Sequence, residues 1–353
     1  ETSGIVKFLN GVTYGNGLFV TIGASGTILT SADGTTWTSR STGSSNELKA
    51  VTYGNSTFVT VGRAGNIFSS PDGTTWTSRT SGTQRNLWGV AYGDGTFVTV
   101  SYEATIHTSS VESTSSATVS TLSLSGIDNS TSVNFEKMTS SGNSLYLSGR
   151  SGNSPMYRVN LVEGDNSTTT GVATKIEPSF TNASYYNTGT EVQLSYVGGF
   201  ATDGTALYVT DGNNKLIRKI DLATSNISTL AGKLENYADG IGEEAEFRFP
   251  EKMIRIGTNI YLIDDTRIRK VNPATGEVST LKTSGESYDW IEGLTTDGTD
   301  IYFTSYFSSS SSSGHKLYKL SVADGVVSEL QTSGGSDNSS SSSNIIGLAS
   351  DGT

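Results

Sequence analysis

Two histidines, no cysteine and a scatter of aspartates bound the chemistry open to this 353-residue chain. His107 and His315 are too few for a histidine-held metal, which takes several ligands at fixed geometry. Without Cys there is no disulfide, no Cys-zinc site and no thiol nucleophile. Asp264-Asp265, Asp211 and Asp239 could each contact a cation, yet none has the spacing of a calcium loop. Turn chemistry explains most of the DG and DGT dipeptides without any ion. No cofactor and no metal is expected. Arg158, Lys219, Lys270 and Lys319 recur at one position of a strand, beside the apolar Val159, Ile220, Val271 and Leu320. That alternation reads as a solvated sheet face, with a shallow anion-binding band as the alternative. What remains is aromatic. Tyr185, Tyr186, Tyr237, Tyr288, Trp290 and Tyr306 fall in or beside long polar inserts and suit contacts with sugars or proteins.

The composition narrows what could position these rings. Hydrophobic residues make up 34%, enough for a core, and Gly (41) and Tyr (16) far outnumber Pro (5) and Met (3). Ala, Leu, Glu and Lys do not cluster at helical spacing, so a helical bundle is excluded. No apolar run approaches the length of a membrane-spanning helix, and no membrane insertion is expected. Lys and Arg number 23 against 34 Asp and Glu, a net charge of −11, which repels phosphate backbones and argues against nucleic-acid binding. The charge is uneven: residues 1–110 hold six basic and six acidic residues, so the whole excess lies in 111–353. Six N-x-S/T sequons occur, at Asn55, Asn129, Asn166, Asn182, Asn226 and Asn338.

Self-comparison yields the architecture. Leu9, Leu48 and Leu87 are spaced by 39 residues, as are Phe19, Phe58 and Phe97, and each copy reads as four short strands such as GVTYG, LFVTIG, GTILTS and TWTSR. Gly, Asn and Asp punctuate them as tight turns. Four later segments share one frame: FEKMTSSGNSLYLSG at 135–149, GGFATDGTALYVTDG at 198–212, PEKMIRIGTNIYLID at 250–264 and IEGLTTDGTDIYFTS at 291–305. Each is followed by a third strand at 156, 217, 268 or 317 and a fourth at 173, 227, 278 or 327. The third copy ends in ATVSTLSL at 117–124, a fourth strand of the later type. That hybrid argues for one continuous domain over 1–353.

Strands of this pattern cannot bury both faces within one small sheet. Stacking the sheets radially does so, and the expectation is an all-β β-propeller of seven four-stranded blades between about 9 and 344. An eighth blade stays open, with 345–353 as its inner strand and Gly4 to Phe8 as another. No charged n-region or apolar h-region follows Glu1, so any signal peptide is already removed or the chain is a piece of something longer; residues 345–353, which copy the opening of a repeat and then stop, favour the second expectation.

Ser31-Ala-Asp33-Gly34-Thr-Thr-Trp37 and Ser70-Pro-Asp72-Gly73-Thr-Thr-Trp76, within 9–110, resemble the Asp-box (BNR) repeat of sialidase-like propellers. The resemblance implies a turn lock: Asp caps backbone N–H groups, Gly takes positive φ, and Trp packs between sheets. Residues 197–250 resemble the NHL repeat closely, through DGTALYVTDGNNKLIRKIDLATSNISTLAG and ADGIGEEAEFRFP. The likeness extends through 251–344 and more weakly over 135–196, so 111–344 is expected to hold the NHL-like blades. It implies fold more than function. A metal-dependent NHL lyase needs several His, which this chain lacks. Phe247-Arg248-Phe249-Pro250 also resembles the sialidase motif that supplies a catalytic arginine, but Ala245, Phe247 and Pro250 sit where an NHL unit places its AxFxxP. A sialidase would further require two more arginines, a Tyr–Glu pair and an acid Asp.

Loop length points to a face. First-to-second and third-to-fourth turns are short, whereas second-to-third turns and links between blades hold the long inserts 178–196, 232–247, 283–290, 306–315 and 332–344. Long loops on a rigid scaffold are where function concentrates. The expectation is therefore a non-enzymatic extracellular or cell-surface module for interaction, adhesion or assembly, binding a protein or glycan at the long-loop rim. A sialidase-like glycoside hydrolase is the alternative.

Overall fold

A computed structural model describes residues 9–34, 36–93, 96–101, 106–109, 119–122, 124–125, 135–141, 144–149, 156–163, 169–176, 194–233, 236–281, 290–308 and 313–330. Strands dominate. The first sheet comprises β1 (Leu9–Gly15), β2 (Leu18–Gly23), β3 (Ile28–Ser31) and β4 (Thr38–Arg40). The second repeats it as β5 (Leu48–Gly54), β6 (Thr57–Gly62), β7 (Ile67–Ser70) and β8 (Thr77–Arg79). The third holds β9 (Leu87–Gly93), β10 (Thr96–Ser101), β11 (Ile106–Ser109) and β12 (Val119–Leu122). The fourth holds β13 (Leu124–Ser125), β14 (Phe135–Ser141), β15 (Ser144–Gly149), β16 (Met156–Glu163) and β17 (Thr169–Ile176). The fifth holds β18 (Val197–Thr202), β19 (Ala206–Asp211), β20 (Leu216–Asp221) and β21 (Ile227–Ala231). The sixth holds β22 (Gly240–Ile241), β23 (Pro250–Ile256), β24 (Asn259–Asp264), β25 (Arg267–Val271) and β26 (Glu277–Thr280). The seventh holds β27 (Trp290–Thr296), β28 (Ile301–Ser308), β29 (Ser313–Leu320) and β30 (Val327–Leu330).

Every sheet has an antiparallel meander of four strands in sequence order, the period expected from the repeats. Two sheets gain a fifth strand from the connection that precedes them. β13 lies parallel to β17, and β22 lies antiparallel to β26. The candidate strands of an eighth blade, Gly4 to Phe8 and 345–353, lie outside the described residues.

The chain divides into two compact units. One is Glu1–Ser101, His107–Thr121 and Lys282–Thr353; the other is Tyr102–Ile106 and Leu122–Leu281. In the first unit, a Tyr-Gly pair repeats at each inner strand for a steric reason. A Cβ on Gly15 would lie 2.1 Å from Cγ of Tyr53, and one on Gly54 would lie 2.1 Å from Cγ of Tyr92. Each sheet thus lays its Tyr ring on the bare backbone of its predecessor, and no side chain fits there. Trp76 packs with Val20, Ile22 and Ile28 of the first sheet and Val51, Phe58 and Phe68 of the second. Phe19 meets Tyr302 of the seventh sheet at 4.9 Å between ring centroids.

The Asp-box turns are built as locks. Asp33 accepts from Ser31 Oγ at 2.9 Å and the Thr36 amide at 2.8 Å, and Trp37 Nε1 donates to the Gly34 carbonyl at 3.1 Å. The second copy matches, with Asp72 accepting from Ser70 Oγ and the Thr74 and Thr75 amides, and Trp76 donating to Gly73. Gly34 and Gly73 take φ of 73° and 70°.

In the second unit, the fifth and sixth sheets share a core of Tyr208, Ile217, Ala231, Met253, Ile260, Leu262 and Val278. Ala245 and Phe247, from the connection between the two sheets, are fully buried in it. The AxFxxP segment is therefore a structural plug, with Arg248 and Phe249 the residues it leaves exposed.

Candidate functional site

The second-to-third turns and the inter-sheet links meet on one side of the fifth and sixth sheets. In the fifth, Gly212 and Asn213 of the β19–β20 turn donate their amides to the carbonyls of Tyr196 and Ser195, just ahead of β18. In the sixth, the amide of Asp265, in the β24–β25 turn, donates to the Phe249 carbonyl, just ahead of β23. Asp265 holds φ at 59°, a left-handed position that Asp tolerates better than most residues.

Beneath this rim lie two equivalent buried ion pairs. Asp211 closes β19 and Asp264 closes β24; Arg218 and Arg269 follow at matching places on β20 and β25. Arg218 Nε lies 3.0 Å from Asp211 Oδ2, and Arg269 Nη1 lies 2.8 Å from Asp264 Oδ2. All four side chains are essentially unexposed. Each carboxylate also grips the link entering its sheet. Asp211 accepts the Ser195 amide at 2.7 Å, and Asp264 accepts those of Arg248 and Phe249, both at 2.8 Å. Burial pushes both carboxyls up, and these donors together with the arginines oppose it. Arg269 further donates to the carbonyls of Ala238 and Glu246 and to Asp239. These aspartates are thus committed to arginine and backbone donors. Among the described residues, no three His, Asp or Glu side chains converge as metal ligands.

On that base stands a surface cluster. Tyr237 donates its hydroxyl to Asp265 Oδ2, and Arg248 Nη1 lies 3.3 Å from the same hydroxyl and 3.4 Å from Asp265. The Arg267 guanidinium covers the Tyr237 ring at 3.8 Å from its centroid, and the Lys215 ammonium sits 3.7 Å from the centroid of Phe249. Burial and the bond to Asp265 push the Tyr237 phenol above its ordinary value. Phe249 and Tyr196 are 40% and 41% exposed, a high value for large rings.

The expected contact residues fall out unevenly. Tyr185, Tyr186 and Tyr288 lie outside the described residues. Tyr237 is half-buried and joined to Asp265. Trp290 and Tyr306 belong to strands, not to loops: they pair across β27 and β28, and Tyr306 pairs in turn with His315 on β29. The β28–β29 hairpin runs to Ser308 and resumes at Ser313, so the insert is shorter than 306–315. Tyr196, Lys215 and Arg267 were not singled out from sequence, and Phe249 was named only within the Phe247-Arg248-Phe249-Pro250 segment. Their signal was positional: each ring directly precedes an inner strand of the same frame. The Lys/Arg row is half-buried, with Lys319 2.7 Å from Asp300 and Arg158 donating to Ser144 and to the Leu222 carbonyl.

First-to-second turns are short and locked. Asp203 caps the amides of Thr205 and Ala206 and accepts the Tyr208 hydroxyl at 2.7 Å. Asp297 does the same with Thr299, Asp300 and Tyr302.

No family model matches the sequence, and no curated protein matches it. Solved structures do. A computationally designed protein, Ika8, is similar over 98% of this chain and 91% of its own, with a TM-score of 0.57 and 12% identity. Sqt1 of Saccharomyces cerevisiae is similar over 94% and 87%, with a TM-score of 0.57 and 12% identity. YCF48 bound to D1 peptide is similar over 86% and 92%, with a TM-score of 0.56 and 12% identity. These are propeller-like proteins, and the fold of this chain is an all-β propeller.

Proposed function

We propose that this chain is a non-enzymatic interaction module, working outside the cell or at its surface and binding a protein or glycan partner through the rim of links and second-to-third turns. One contrast carries the reading. In the fifth and sixth sheets that rim presents exposed rings and cations on a base of buried ion pairs, whereas the β18–β19 turn of the fifth is short and locked by Asp203. A rigid base lowers the ordering cost of binding. The similarity to YCF48 bound to D1 peptide supports a protein or peptide partner. The extracellular setting rests on the absence of Cys and the Ser-, Thr- and Asn-rich inserts. The aromatic contact set on this reading includes Tyr185, Tyr186, Tyr237, Tyr288, Trp290 and Tyr306. The test is binding to glycan arrays and to cell-surface protein fractions. Replacing Tyr185, Tyr186, Tyr237 and Trp290 by Ala should weaken binding at least tenfold, about 1.4 kcal/mol. Undiminished binding by that variant defeats the choice of face.

A second reading, a sialidase-type glycoside hydrolase, is favoured by one contact: a Tyr–carboxylate couple, Tyr237 and Asp265, with Arg248 beside it. Against it, Arg269 is buried and committed, and the Tyr237 phenol is pushed up, away from a nucleophile's needs. Release of a fluorogenic aglycone from a sialoside, lost in Tyr237→Phe, would establish the enzyme.

A further inference from the structure

We propose that Tyr196, Lys215, Tyr237, Arg248, Phe249 and Arg267 form a docking strip for an acidic, aromatic-bearing peptide segment of a partner protein. The proposal rests on the interaction-module reading and names the partner's chemistry.

The six residues are continuous. The Tyr196 ring lies against Gly212, where an added Cβ would approach its Cδ1 to 2.8 Å. Gly212 opens the turn that ends at Lys215, and Lys215 reaches across to Phe249 of the next sheet. Phe249 is followed back along the chain by Arg248, which meets Tyr237, and Tyr237 carries Arg267. One strip therefore runs from the entry of the fifth sheet to the second-to-third turn of the sixth.

Its charge opposes that of the chain. Lys215, Arg248 and Arg267 place three cations along the strip, with Asp265 among them, while the whole protein carries −11. Asp239 is engaged by Arg269 and Thr280. Asp211 and Asp264 are buried in their own ion pairs. Arg248 is half-exposed at 50% beside Asp265, and arginine pairs with carboxylates in a forked geometry. An acidic peptide is attracted here and repelled over much of the remaining surface, which selects the site as well as the ligand.

Its rings supply the apolar anchors. Phe249 and Tyr196 each keep about two-fifths of their surface in water, so a partner's aromatic side chain can cover them. The stacked cations are already held over Phe249 and Tyr237, and the links carrying Ser195, Arg248 and Phe249 are clamped by Asp211 and Asp264. Binding thus orders little that is not ordered beforehand.

The experiment uses two fluorescein-labelled peptides of about twelve residues, one mixing Asp, Glu, Phe and Ser and the other with each acidic residue replaced by Lys. Fluorescence anisotropy with the full chain should show saturable binding of the acidic peptide only, weakening as salt rises from about 50 to 300 mM. Lys215→Glu with Arg248→Glu should weaken it at least tenfold, and Tyr196→Ser with Phe249→Ser should do so with less change in salt dependence. Melting curves matching the parent show that both variants fold. No binding of the acidic peptide, equal binding of the lysine peptide, or binding unaffected by both variants each overturns the strip. A glycan or protein partner that still binds the Glu variant in full leaves the broader module reading standing while removing this one.

Discussion

Arg269 and Asp264 meet 2.8 Å apart with neither side chain exposed, and the same carboxylate holds the amides of Arg248 and Phe249. The ion pair is thus the foundation of the exposed strip, since the residue that neutralises the buried arginine also fixes the backbone of the surface cation and ring. Removing one partner strands a charge in the interior. Arg269→Met should cost about 3–5 kcal/mol by urea denaturation, and Asp264→Asn should cost a similar amount. A double-mutant cycle should give a coupling above roughly 1 kcal/mol. Single changes that each cost under about 1 kcal/mol would contradict a committed buried pair.

Trp76 and Trp37 occupy the same place in their repeats and differ in burial. Trp76 is 9% exposed inside the core between two sheets, whereas Trp37 is half-exposed and 6.4 Å from Phe19. Trp76→Ala should cost roughly 3–5 kcal/mol, and Trp37→Ala less than half of that. Asp72→Ala, which removes a turn lock, should cost about 1 kcal/mol by analogy with helix caps. Chemical denaturation ranks them; equal costs for the two tryptophans would mean that their surroundings are alike after all.

The repeats were legible because they recur at a fixed period. Leu9, Leu48 and Leu87 begin β1, β5 and β9, and the frame shared by 198–212 and 250–264 became β18–β19 and β23–β24. The Asp-box locks were legible because they are local, with every partner within three residues. The buried arginines were not. Arg218 and Arg269 stand beside the half-buried Lys219 and Lys270, and a strand pattern alone reads such pairs as solvated. Their partners lie seven and five residues back, across a hairpin turn, so the signal was the recurrence of Asp then Arg in two aligned units. Phe249 stood in a segment that resembles both the sialidase motif and the NHL AxFxxP; only packing shows that Phe247 turns in while Phe249 stays out.

Removal of divalent cations should leave the fold unchanged. Asp211, Asp264 and Asp239 spend their oxygens on arginines, amides and hydroxyls, leaving no incomplete set of oxygens for an ion among them. Thermal midpoints with and without EDTA should agree within about 1 °C, roughly the shift that 1 kcal/mol gives a chain of this length. A larger drop would require an ion bound elsewhere.

Acid should weaken the locked turns. For Asp203, burial works to raise the carboxyl, but donors from Tyr208, Ala206 and Thr205 outweigh it and hold it well below the usual range. Asp72 is held low chiefly by Thr74 and Thr75, and Asp297 is lowered by Asp300, Thr299 and Tyr302 against its burial. A carboxyl whose folded value is depressed binds fewer protons folded than unfolded between the two values, so stability rises with pH there. The contribution is complete above the ordinary Asp value of about 3.9 and is lost as pH falls through the lowered one. Asp203→Asn should therefore destabilise the protein at pH 7, and its deficit relative to the parent should shrink below about pH 4, where the parent's unfolded chain takes up a proton at Asp203 and its folded state does not. Urea midpoints of parent and variant at several pH values between 7 and 2 measure that gap. Tyr208→Phe, which removes one donor to the same carboxylate, should show a smaller deficit that narrows over the same window. A gap that stays constant into acid would mean that Asp203 contributes through turn shape alone, with no help from its charge.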